Sequence, residues 1–285
     1  MAVRGRFDLH THSTVSDGTE TPAAVVRAAA RAGLAGLALT DHDSTAGWAD
    51  AVAAAQETGI GLLPGVELST RSRRTSVHVL GYLVDPADPG LVAETDRIRA
   101  SRRDRARRIV DSIAADYPIT WDDLLAQTAE GATVGRPHIA DALVALGIEP
   151  DRSAAFAGIL HPRRGYVEPH YAPTPARGVA LIRAAGGVPV LAHPGATRLE
   201  WVIGTDEVAQ LVEAGLFGIE VDHPENTPGG GEVAAALATR FGLPITGSSD
   251  YHGSGKPNRI GQRTTAPDVV DAIVEQGSGT PPVLP

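Results

Sequence analysis

The stretch "FDLHTHSTVSDG", residues 7–18, places two histidines one residue apart on a strand that leads into a turn rich in Ser, Thr and Asp. Residues two apart in a strand face the same side, so Asp8, His10 and His12 share one face. An isolated pair of this kind is weak evidence for a metal site, because histidines more often make structural hydrogen bonds. The rest of the chain must therefore decide what this strand carries.

Strand patterns alternate with helical patterns on both sides of a helical middle region. "FDLHTH" is followed by the helical "TPAAVVRAAARAGL", then by "GLALTDH", a second helix, and the strands "IGLLPGVELS" and "SVHVLGYLV". A long Arg-rich helix interrupts this order near residue 90, and the order resumes near residue 174. The pattern predicts an α/β fold with a mainly parallel sheet at 1–90 and 174–285, a helical insertion at 91–173, and a loose tail, "GSGTPPVLP".

Composition excludes several classes of function. The 285 residues include 25 Lys and Arg against 34 Asp and Glu, a net charge of −9. Such a surface repels double-stranded DNA and anionic membranes, so an anionic ligand needs positive charge gathered locally. Cysteine is absent, which excludes disulfides and thiolate metal sites. Neither a signal peptide nor an apolar run of about 20 residues is present, which predicts a cytoplasmic protein. The oligomeric state stays open.

Imidazole and carboxylate side chains recur at or near the ends of the predicted strands. They are His10, His12, Asp17, His42, Glu67, His78, His193, Asp250 and His252. The loops that leave the strands of a closed parallel barrel converge on one face. A buried cluster of these groups needs compensating cations, and donors without sulfur suit Mn²⁺, Fe²⁺ or Zn²⁺. Nine donors exceed the capacity of one ion, which predicts two or three divalent metals.

The motifs "DLHTHSTVSDG", "LTDHD", "GVELS", "HVLGY", "LAHPG" and "SSDYH", in this order, closely resemble those of the PHP (polymerase and histidinol phosphatase) family of the amidohydrolase superfamily. The resemblance implies a distorted (β/α)7 barrel, similar to a TIM barrel, with a trinuclear metal centre. It also implies phosphoester hydrolysis by a metal-bound hydroxide, and it puts all nine residues at ligand positions. "GRPHIADALVALG" and "RRGYVEP" resemble the insertion of the branch that acts on nucleoside 3′,5′-bisphosphates and on the 5′ ends of short RNAs.

The insertion is expected to select the substrate. Pro137 suits a first helical turn, so Arg136 and His138 would lie at a helix N-terminus, where free N–H groups favour a second phosphate. The alternative is that Arg136 forms a salt bridge and that His138 only packs. Thr75 and Ser76 precede His78 and could add hydroxyl donors, or they could be ordinary turn residues.

Other residues have weaker support. Arg164 could hold a phosphate, or it could be an exposed arginine. Arg102 and Arg105 lie on the apolar stripe of the long helix and could face the site, although the acidic composition favours solvated arginines for most of this helix. His223 follows a strand and is a candidate proton donor to the leaving oxygen.

The acidic neighbours of the predicted ligands are assigned supporting roles. Asp8 shares a strand face with two histidines and is expected to orient an imidazole. Asp41 and Asp43 are expected to be solvated or to cap a helix. His161 and His170 have no motif around them, and we expect surface or packing positions for both.

The leading hypothesis is a metal-dependent phosphoesterase that removes the 5′-phosphate of nucleoside 3′,5′-bisphosphates, such as adenosine 3′,5′-bisphosphate, and that could extend to short 5′-phosphorylated RNA. A hydrolase of nucleoside monophosphates, cyclic phosphodiesters or histidinol phosphate is the alternative within this class. A non-catalytic module that binds metal or nucleotide is less consistent with the presence of all nine predicted metal ligands. A C–N hydrolase would leave the Arg and His residues of the insertion without a role.

Overall fold

A seven-stranded sheet, in which each strand neighbours the next along the chain, forms the centre of the fold. The computed structural model describes residues 4–73, 75–196 and 203–284. The strands are β1 (Phe7–Thr11), β2 (Gly36–Leu39), β3 (Gly61–Ser72), β4 (Thr75–Tyr82), β5 (Val188–Leu191), β6 (Gly218–Asp222) and β7 (Ile245–Gly247). Single bridges join Phe7 to Thr265 and Thr11 to Tyr251, so the segment after β7 reaches β1 and the barrel is nearly closed. The predicted α/β barrel is confirmed.

One strand departs from the parallel arrangement. β4 runs antiparallel to β3 and β5, whereas the other neighbouring strands pair in parallel. Ser72 pairs with Thr75, so only two residues connect β3 to β4, and a parallel crossover needs a dozen or more. The first half of β4 therefore lies at the edge where the parallel strands end. His78 reaches that edge from the first half of its strand, and its predicted place near the C-terminal end of a strand was wrong.

Ten helices in the described part of the chain surround the barrel and fill the insertion. They are α1 (Pro22–Arg31), α2 (Trp48–Thr58), α3 (Pro89–Ile113), α4 (Trp121–Ala126), α5 (Arg136–Ala145), α6 (Arg152–Ala157), α7 (Pro175–Ala184), α8 (Thr205–Glu213), α9 (Pro228–Phe241) and α10 (Pro267–Gln276). Four of them start with a capping residue followed by proline. The side chains of Thr21, Asp88, Thr174 and Thr227 each accept a backbone N–H of the first turn. The proline adds a φ angle that suits the helix, so the sequence itself fixes these starting points.

The chain between β4 and β5 is helical, and helices α3 to α6 of this segment have a core of their own. Ile109, Leu124, Ile139 and Leu160 are buried in that core with ten other side chains. Two contacts tie it to the loop after β1. Thr133 donates its N–H to the Val15 carbonyl (2.9 Å), and Arg152 donates to the Asp17 carbonyl (3.1 Å). The insertion therefore packs over the loop that carries Asp17, while its assignment as a recognition unit at 91–173 stays a prediction.

The C-terminal tail is held in place as far as the structure describes it. Val283 and Leu62 exchange backbone hydrogen bonds of 2.8 and 2.9 Å, and Thr280 donates its N–H to the Leu83 carbonyl. The expectation of a loose tail was wrong, because the start of β3 offers unpaired backbone groups that the tail satisfies. Among the described helices, none has the length and apolar character that crossing a membrane requires.

Candidate metal centre

Six imidazoles form a closed circuit at the mouth of the barrel. The circuit runs through His10, His12, His42, His78, His193 and His223, and neighbouring ring centroids are 4.9 to 6.2 Å apart. His252 stacks on His12 at 4.2 Å. These residues come from β1 and the residue that follows it, from β4, and from the loops after β2, β5, β6 and β7. The barrel thus gathers histidines that are up to 242 positions apart in the chain.

Glu67 of β3 lies among these rings. Its Oε1 atom is 2.6 Å from Nδ1 of His78 and 3.0 Å from Nε2 of His193. Its Oε2 atom is 3.0 to 3.3 Å from a ring nitrogen of each of three further histidines, which are His10, His12 and His42. One carboxylate therefore faces five imidazoles and would hold cations together with them.

Asp17, Asp250 and His252 complete the predicted set. Nε2 of His252 is 3.2 Å from Oδ1 of Asp17, and its Nδ1 is 3.4 Å from Oδ1 of Asp250. The same Asp250 oxygen lies 3.4 Å from Nε2 of His12. All nine residues predicted as ligands are thus brought to one place. Their roles as ligands stay a prediction.

Several buried atoms of the cluster lie close to oppositely charged groups but make no hydrogen bond with suitable geometry. They are Nε2 of His10, Nε2 of His12, Nδ1 of His42 and Oδ1 of Asp17. Triads such as His10, His12 and Glu67 have their candidate ligand atoms within 4.8 Å of one another. Buried polar atoms without partners are costly, and divalent cations would satisfy them. The residues present therefore fit more than one cation, with imidazole and carboxylate donors.

The protonation of the cluster reflects its charges. Burial lowers the pKa of His12, but contacts with Asp250 and Glu67 outweigh it and raise this pKa to about 9. Burial raises the pKa of Glu67, but the surrounding imidazoles outweigh it and hold this pKa well below its usual value. Without cations the cluster is thus a mixture of imidazolium and carboxylate groups. The protons on these imidazole nitrogens are bound at atoms that would otherwise coordinate cations.

Three loop residues at this edge have left-handed backbone conformations. The φ angles are +52° at Asp43, +27° at His193 and +53° at Asp250. Such angles are strained for residues with a side chain and persist where the surroundings enforce them, as they do at functional sites. These residues lie in the loops after β2, β5 and β7. The side chains of His193 and Asp250 join the cluster, and the side chain of Asp43 binds Ser69 and Arg102.

Glu220 is a functional candidate that sequence reasoning missed. This buried residue of β6 lies 3.1 Å from Nδ1 of His10, accepts the N–H of His193 (2.8 Å), and accepts the hydroxyl of Ser248. Its carboxylate orients two predicted ligands. The signal was present in "GIEVDH", because a glutamate inside an apolar strand needs a buried partner.

Asp8 supports the cluster through a different partner from the one expected. Its carboxylate accepts the N–H and hydroxyl of Ser249 (2.9 and 2.6 Å) and the N–H of Gly261 (2.7 Å). These bonds fix the loop that carries Asp250. The expectation that Asp8 orients an imidazole was therefore wrong, since its side chain binds the loop beneath the ligands.

Asp41 and Asp43 are buried, and the expectation that they are solvated or cap a helix was wrong. Asp41 accepts the N–H and hydroxyl of Ser13 and the hydroxyl of Ser16, which lies 3.2 Å from Nδ1 of His12. Asp43 accepts the N–H and hydroxyl of Ser69 (2.7 Å each). The hydrogen bonds of these two carboxylates fix the loops after β1 and β2 next to the histidines.

Arg102 pairs with Asp43, at 2.9 Å from Nε to Oδ2, and donates to the hydroxyl of Ser69 (2.5 Å). Arg102 and Arg105 are 7% and 6% exposed, whereas Arg103 and Arg107 of the same helix are exposed. The predicted position of Arg102 and Arg105 on the apolar stripe is confirmed, and Arg103 and Arg107 lie on the solvent side as expected.

The structure separates the residues predicted to bind substrate in the insertion. Arg136 opens α5, with its Cζ atom 5.6 Å from the ring centroid of Phe156. Nδ1 of His138 accepts the N–H of Gly135 (3.0 Å), and burial lowers the pKa of His138. Nδ1 of His138 is thus engaged by the backbone at the start of α5, and the anion-binding roles of Arg136 and His138 stay predictions.

Thr75, Ser76 and Arg164 are also placed differently from one another. Ser76 is exposed and its hydroxyl lies 3.2 Å from Nε2 of His78. Thr75 is on the opposite face of β4, the face that Val77 buries in the core. Arg164 is exposed and donates to the Tyr117 hydroxyl within the insertion (3.3 Å). Among the three, the geometry brings Ser76 alone to the histidines.

The relatives of this chain identify its family. The PHP domain family matches residues 8–133. The 3′,5′-nucleoside bisphosphate phosphatase of Chromobacterium violaceum is 38% identical over 271 residues, which cover 94% of this chain and 94% of that protein. The chain belongs to the PHP family.

Further PHP relatives carry names of phosphoric ester hydrolases. The phosphoribosyl 1,2-cyclic phosphate 1,2-diphosphodiesterase of Eggerthella lenta is 34% identical over 91% of this chain and 99% of that protein. The 5′-3′ exoribonuclease of Haemophilus influenzae is 32% identical over 94% of this chain and 97% of that protein. A solved structure from Bifidobacterium adolescentis, assigned as a metal-dependent phosphoesterase, has a TM-score of 0.94 and 40% identity and covers 98% of both chains. This PHP protein is therefore a metal-dependent phosphoesterase.

Proposed function

We propose that this PHP protein hydrolyses the 5′-phosphate of nucleoside 3′,5′-bisphosphates with two or three divalent cations. The observation that carries the choice of substrate is the placement of positive charge. In a chain of net charge −9, the buried Arg102 of α3 binds the hydroxyl of Ser69, which is opposite His78 in the pairing of β3 with β4. Arginine forks bind phosphate through paired N–H donors, so this side of the cluster suits a substrate with a second phosphate. The bisphosphate phosphatase relative supports the same choice.

The nine residues gathered at the barrel mouth would hold the cations. His10, His12, Glu67, Asp250 and their neighbours supply nitrogen and oxygen donors without sulfur, which suits Mn²⁺, Fe²⁺ or Zn²⁺. Bound cations would lower the pKa of water and neutralise phosphoryl oxygens. Glu220, Asp8 and Asp41 keep the donors in place through the hydrogen bonds described above.

His223 is suited to donate a proton to the leaving oxygen. Its Nδ1 accepts the N–H of Glu225 (3.1 Å), so the neutral ring carries its proton on Nε2. That Nε2 lies 3.5 Å from Oδ2 of Asp250. Lys256 binds the same oxygen (2.5 Å). To donate this proton, His223 would act as the imidazolium ion, in which Nδ1 is also protonated and the Glu225 N–H is released, and it would return to the neutral ring once the leaving oxygen is protonated.

Phosphate release from purified protein loaded with Mn²⁺, Fe²⁺ or Zn²⁺ tests the proposal. The substrates are adenosine 3′,5′-bisphosphate, adenosine 5′-monophosphate, a 1,2-cyclic phosphate of ribose and a short 5′-phosphorylated RNA. We expect the highest kcat/KM for the bisphosphate, with adenosine 3′-monophosphate as the product. If the protein did not hydrolyse the bisphosphate but cleaved another ester well, the proposed substrate would be wrong.

Cyclic phosphodiester hydrolysis is the second candidate, because the relative from Eggerthella lenta matches nearly its full length. That reaction opens a ring and leaves a monoester, which the same cations could then hydrolyse. Faster cleavage of the cyclic substrate than of the bisphosphate would favour this function.

A further inference from the structure

The chain contains a single lysine, Lys256. Lysine and arginine together number 25, so every other residue of this kind is an arginine. The two side chains are not equivalent, because the lysine ammonium group is a compact point charge, whereas the guanidinium group is a planar fork with five donors. The position of Lys256 therefore indicates a place where the chain uses a compact cation.

Lys256 lies at the rim of the histidine cluster, between two carboxylates. Its Nζ atom is 2.5 Å from Oδ2 of Asp250 and 2.8 Å from Oε1 of Glu225. The side chain of Asp250 is 2% exposed, whereas those of Lys256 and Glu225 are 24% and 23% exposed. The ammonium group thus borders the cluster on a side that ions in solution can reach.

The loop after β7 is anchored on both sides of Lys256. Before it, Ser254 donates its N–H to the hydroxyl of Thr19 (2.9 Å). After it, the side-chain amide of Asn258 donates to the carbonyl of Ser249 (2.9 Å). The fold of this loop therefore brings the ammonium group to the two carboxylates.

The two oxygens of Asp250 face different groups. Oδ1 lies 3.4 Å from Nε2 of His12 and 3.4 Å from Nδ1 of His252, which are both predicted ligands. Oδ2 lies next to Lys256 and 3.5 Å from Nε2 of His223. A carboxylate can bind a divalent cation through one oxygen or through both. The pairing with Lys256 therefore leaves Oδ1 of Asp250 for divalent cations.

The ammonium group occupies a place that would otherwise suit a divalent cation. Carboxylate oxygens of Asp250 and Glu225 meet there from two different loops, and such donors suit Mn²⁺. Nε2 of His223 is buried close by and makes no hydrogen bond of suitable geometry within the described part of the chain. A positive charge in this place repels a divalent ion, whereas a neutral side chain would not.

We propose that Lys256 is a fixed cation of the metal centre. Its ammonium group restricts Asp250 to one oxygen for metal binding and prevents a further divalent ion from binding between Asp250 and Glu225. The inference rests on the cations of the proposed function and deepens it, because it limits their number at this edge. An arginine would not serve equally well, since both carboxylates bind one atom here and a guanidinium spreads its charge over a fork.

The number of bound divalent ions tests this role. Equilibrium dialysis against saturating Mn²⁺, followed by elemental analysis, should give one more ion per chain in Lys256→Gln than in the wild type. Arg259→Gln, at an exposed position of the same loop, is the matched control and should keep the wild-type count. An equal or lower count in Lys256→Gln would overturn the proposal, because a lysine that only supports the fold would give that result.

A double variant tests where the additional ion binds. Lys256 and Glu225 also take part in other interactions, so the place is examined by removing the second carboxylate. Lys256→Gln combined with Glu225→Gln should return to the wild-type count. An additional ion that persisted in the double variant would overturn the assigned place.

Chemical restoration of the charge gives an independent measurement, because the chain has no cysteine. The thiolate of Lys256→Cys displaces bromide from 2-bromoethylamine, and the product carries an ammonium group on a side chain similar in length to lysine. We expect this modified protein to bind as many Mn²⁺ ions as the wild type. An additional ion in the modified protein would show that the charge does not exclude it and would overturn the proposal.

Isotope labelling shows whether the ammonium group stays at the centre when cations are bound. Lysine labelled with ¹³C at Cε gives one resonance in a chain with one lysine. Paramagnetic Mn²⁺ should broaden this resonance strongly, and a resonance that stayed sharp would show that Lys256 leaves the centre and would overturn the proposal. If the wild type bound no divalent ion, the proposed metal centre itself would fail. If it bound ions and Lys256→Gln bound the same number, only the role of Lys256 would fail.

Discussion

Glu67 and His78 lie on adjacent antiparallel strands, with Oε1 of Glu67 2.6 Å from Nδ1 of His78. The two residues are offset diagonally across the pair, because Glu67 is opposite Leu80 and His78 is opposite Ser69. Inverting β4 thus allows an imidazole from the first half of a strand to meet a carboxylate from the middle of its neighbour. The central position of Glu67 makes it the most sensitive residue of the candidate metal centre.

Glu67→Gln should therefore disable the site. The amide cannot balance the charge of two cations, so we expect at least one metal equivalent to be lost and phosphate release to fall at least about 100-fold. Elemental analysis and a phosphate assay measure the two effects. Glu57→Gln, at an exposed glutamate paired with Arg27, is the control. Full metal content in Glu67→Gln would show that this carboxylate holds no ion.

Glu220→Gln should weaken metal binding without removing a predicted ligand. The carboxylate lies within hydrogen-bonding distance of His10 Nδ1 and accepts the N–H of His193, and loss of such support typically costs 10- to 100-fold in metal affinity. Competition with a chelator of known affinity measures the change. Glu213→Gln, at an exposed position of α8, provides the comparison. An unchanged affinity would mean that Glu220 only packs.

Arg102→Leu should destabilise the fold by about 3–5 kcal/mol, because it leaves the buried carboxylate of Asp43 without its partner. The double variant Arg102→Leu with Asp43→Asn should recover part of this loss. Urea denaturation gives the free energies of unfolding. The exposed pair of Arg27 with Glu57 serves as the reference, where Arg27→Leu should change the free energy of unfolding far less than Arg102→Leu does. Additive losses in the double variant would contradict a direct pair.

His170 should make stability depend on pH. Burial and the nearby arginines lower its pKa to about 2, whereas the unfolded chain has a value near 6.5. The unfolded state therefore binds a proton that the native state does not, and stability is lost as the pH falls below about 6.5, by up to about 1.4 kcal/mol per pH unit. His170→Gln should make the slope between about pH 4.5 and 6 shallower in urea denaturation of metal-free protein. His161→Gln, at a partly exposed turn, is the control, and identical slopes for His170→Gln and wild type would refute the effect.

The sequence alone predicted that the candidate ligands lie close together, because strand periodicity and barrel closure both restrict where their side chains can be. His10 and His12 had to share a face, and residues after parallel strands had to meet at one edge. The direction of β4 was missed although only a short turn separates its pattern from that of β3, which is a hairpin signal. That error matters for Thr75, since pairing with β3 decides which side chains of β4 face the site.

The buried supporting groups were harder to predict. Arg102 and Arg105 lie on an apolar stripe, which indicates burial. The net charge of the chain describes its average surface and does not indicate where two arginines are buried. The role of His138 depends on a hydrogen bond to a residue three positions earlier, and this bond forms only once α5 begins at Arg136. Both depend on tertiary contacts that local pattern does not encode.

The inverted strand has a further consequence for how the insertion can change. Because β4 ends at the edge of the barrel remote from the histidines, α3 starts near that edge. It then runs along the outside of the barrel toward the edge that carries the histidines. Its 25 residues span about 37 Å, long enough to carry the two enclosed arginines up to the level of Ser69. The length of α3 before Arg102 thus sets the position of both guanidiniums relative to the barrel. Deleting one residue between Pro89 and Arg102 would rotate both guanidiniums by about 100° and lower them by about 1.5 Å, so substrate choice can be altered from a site that no substrate touches.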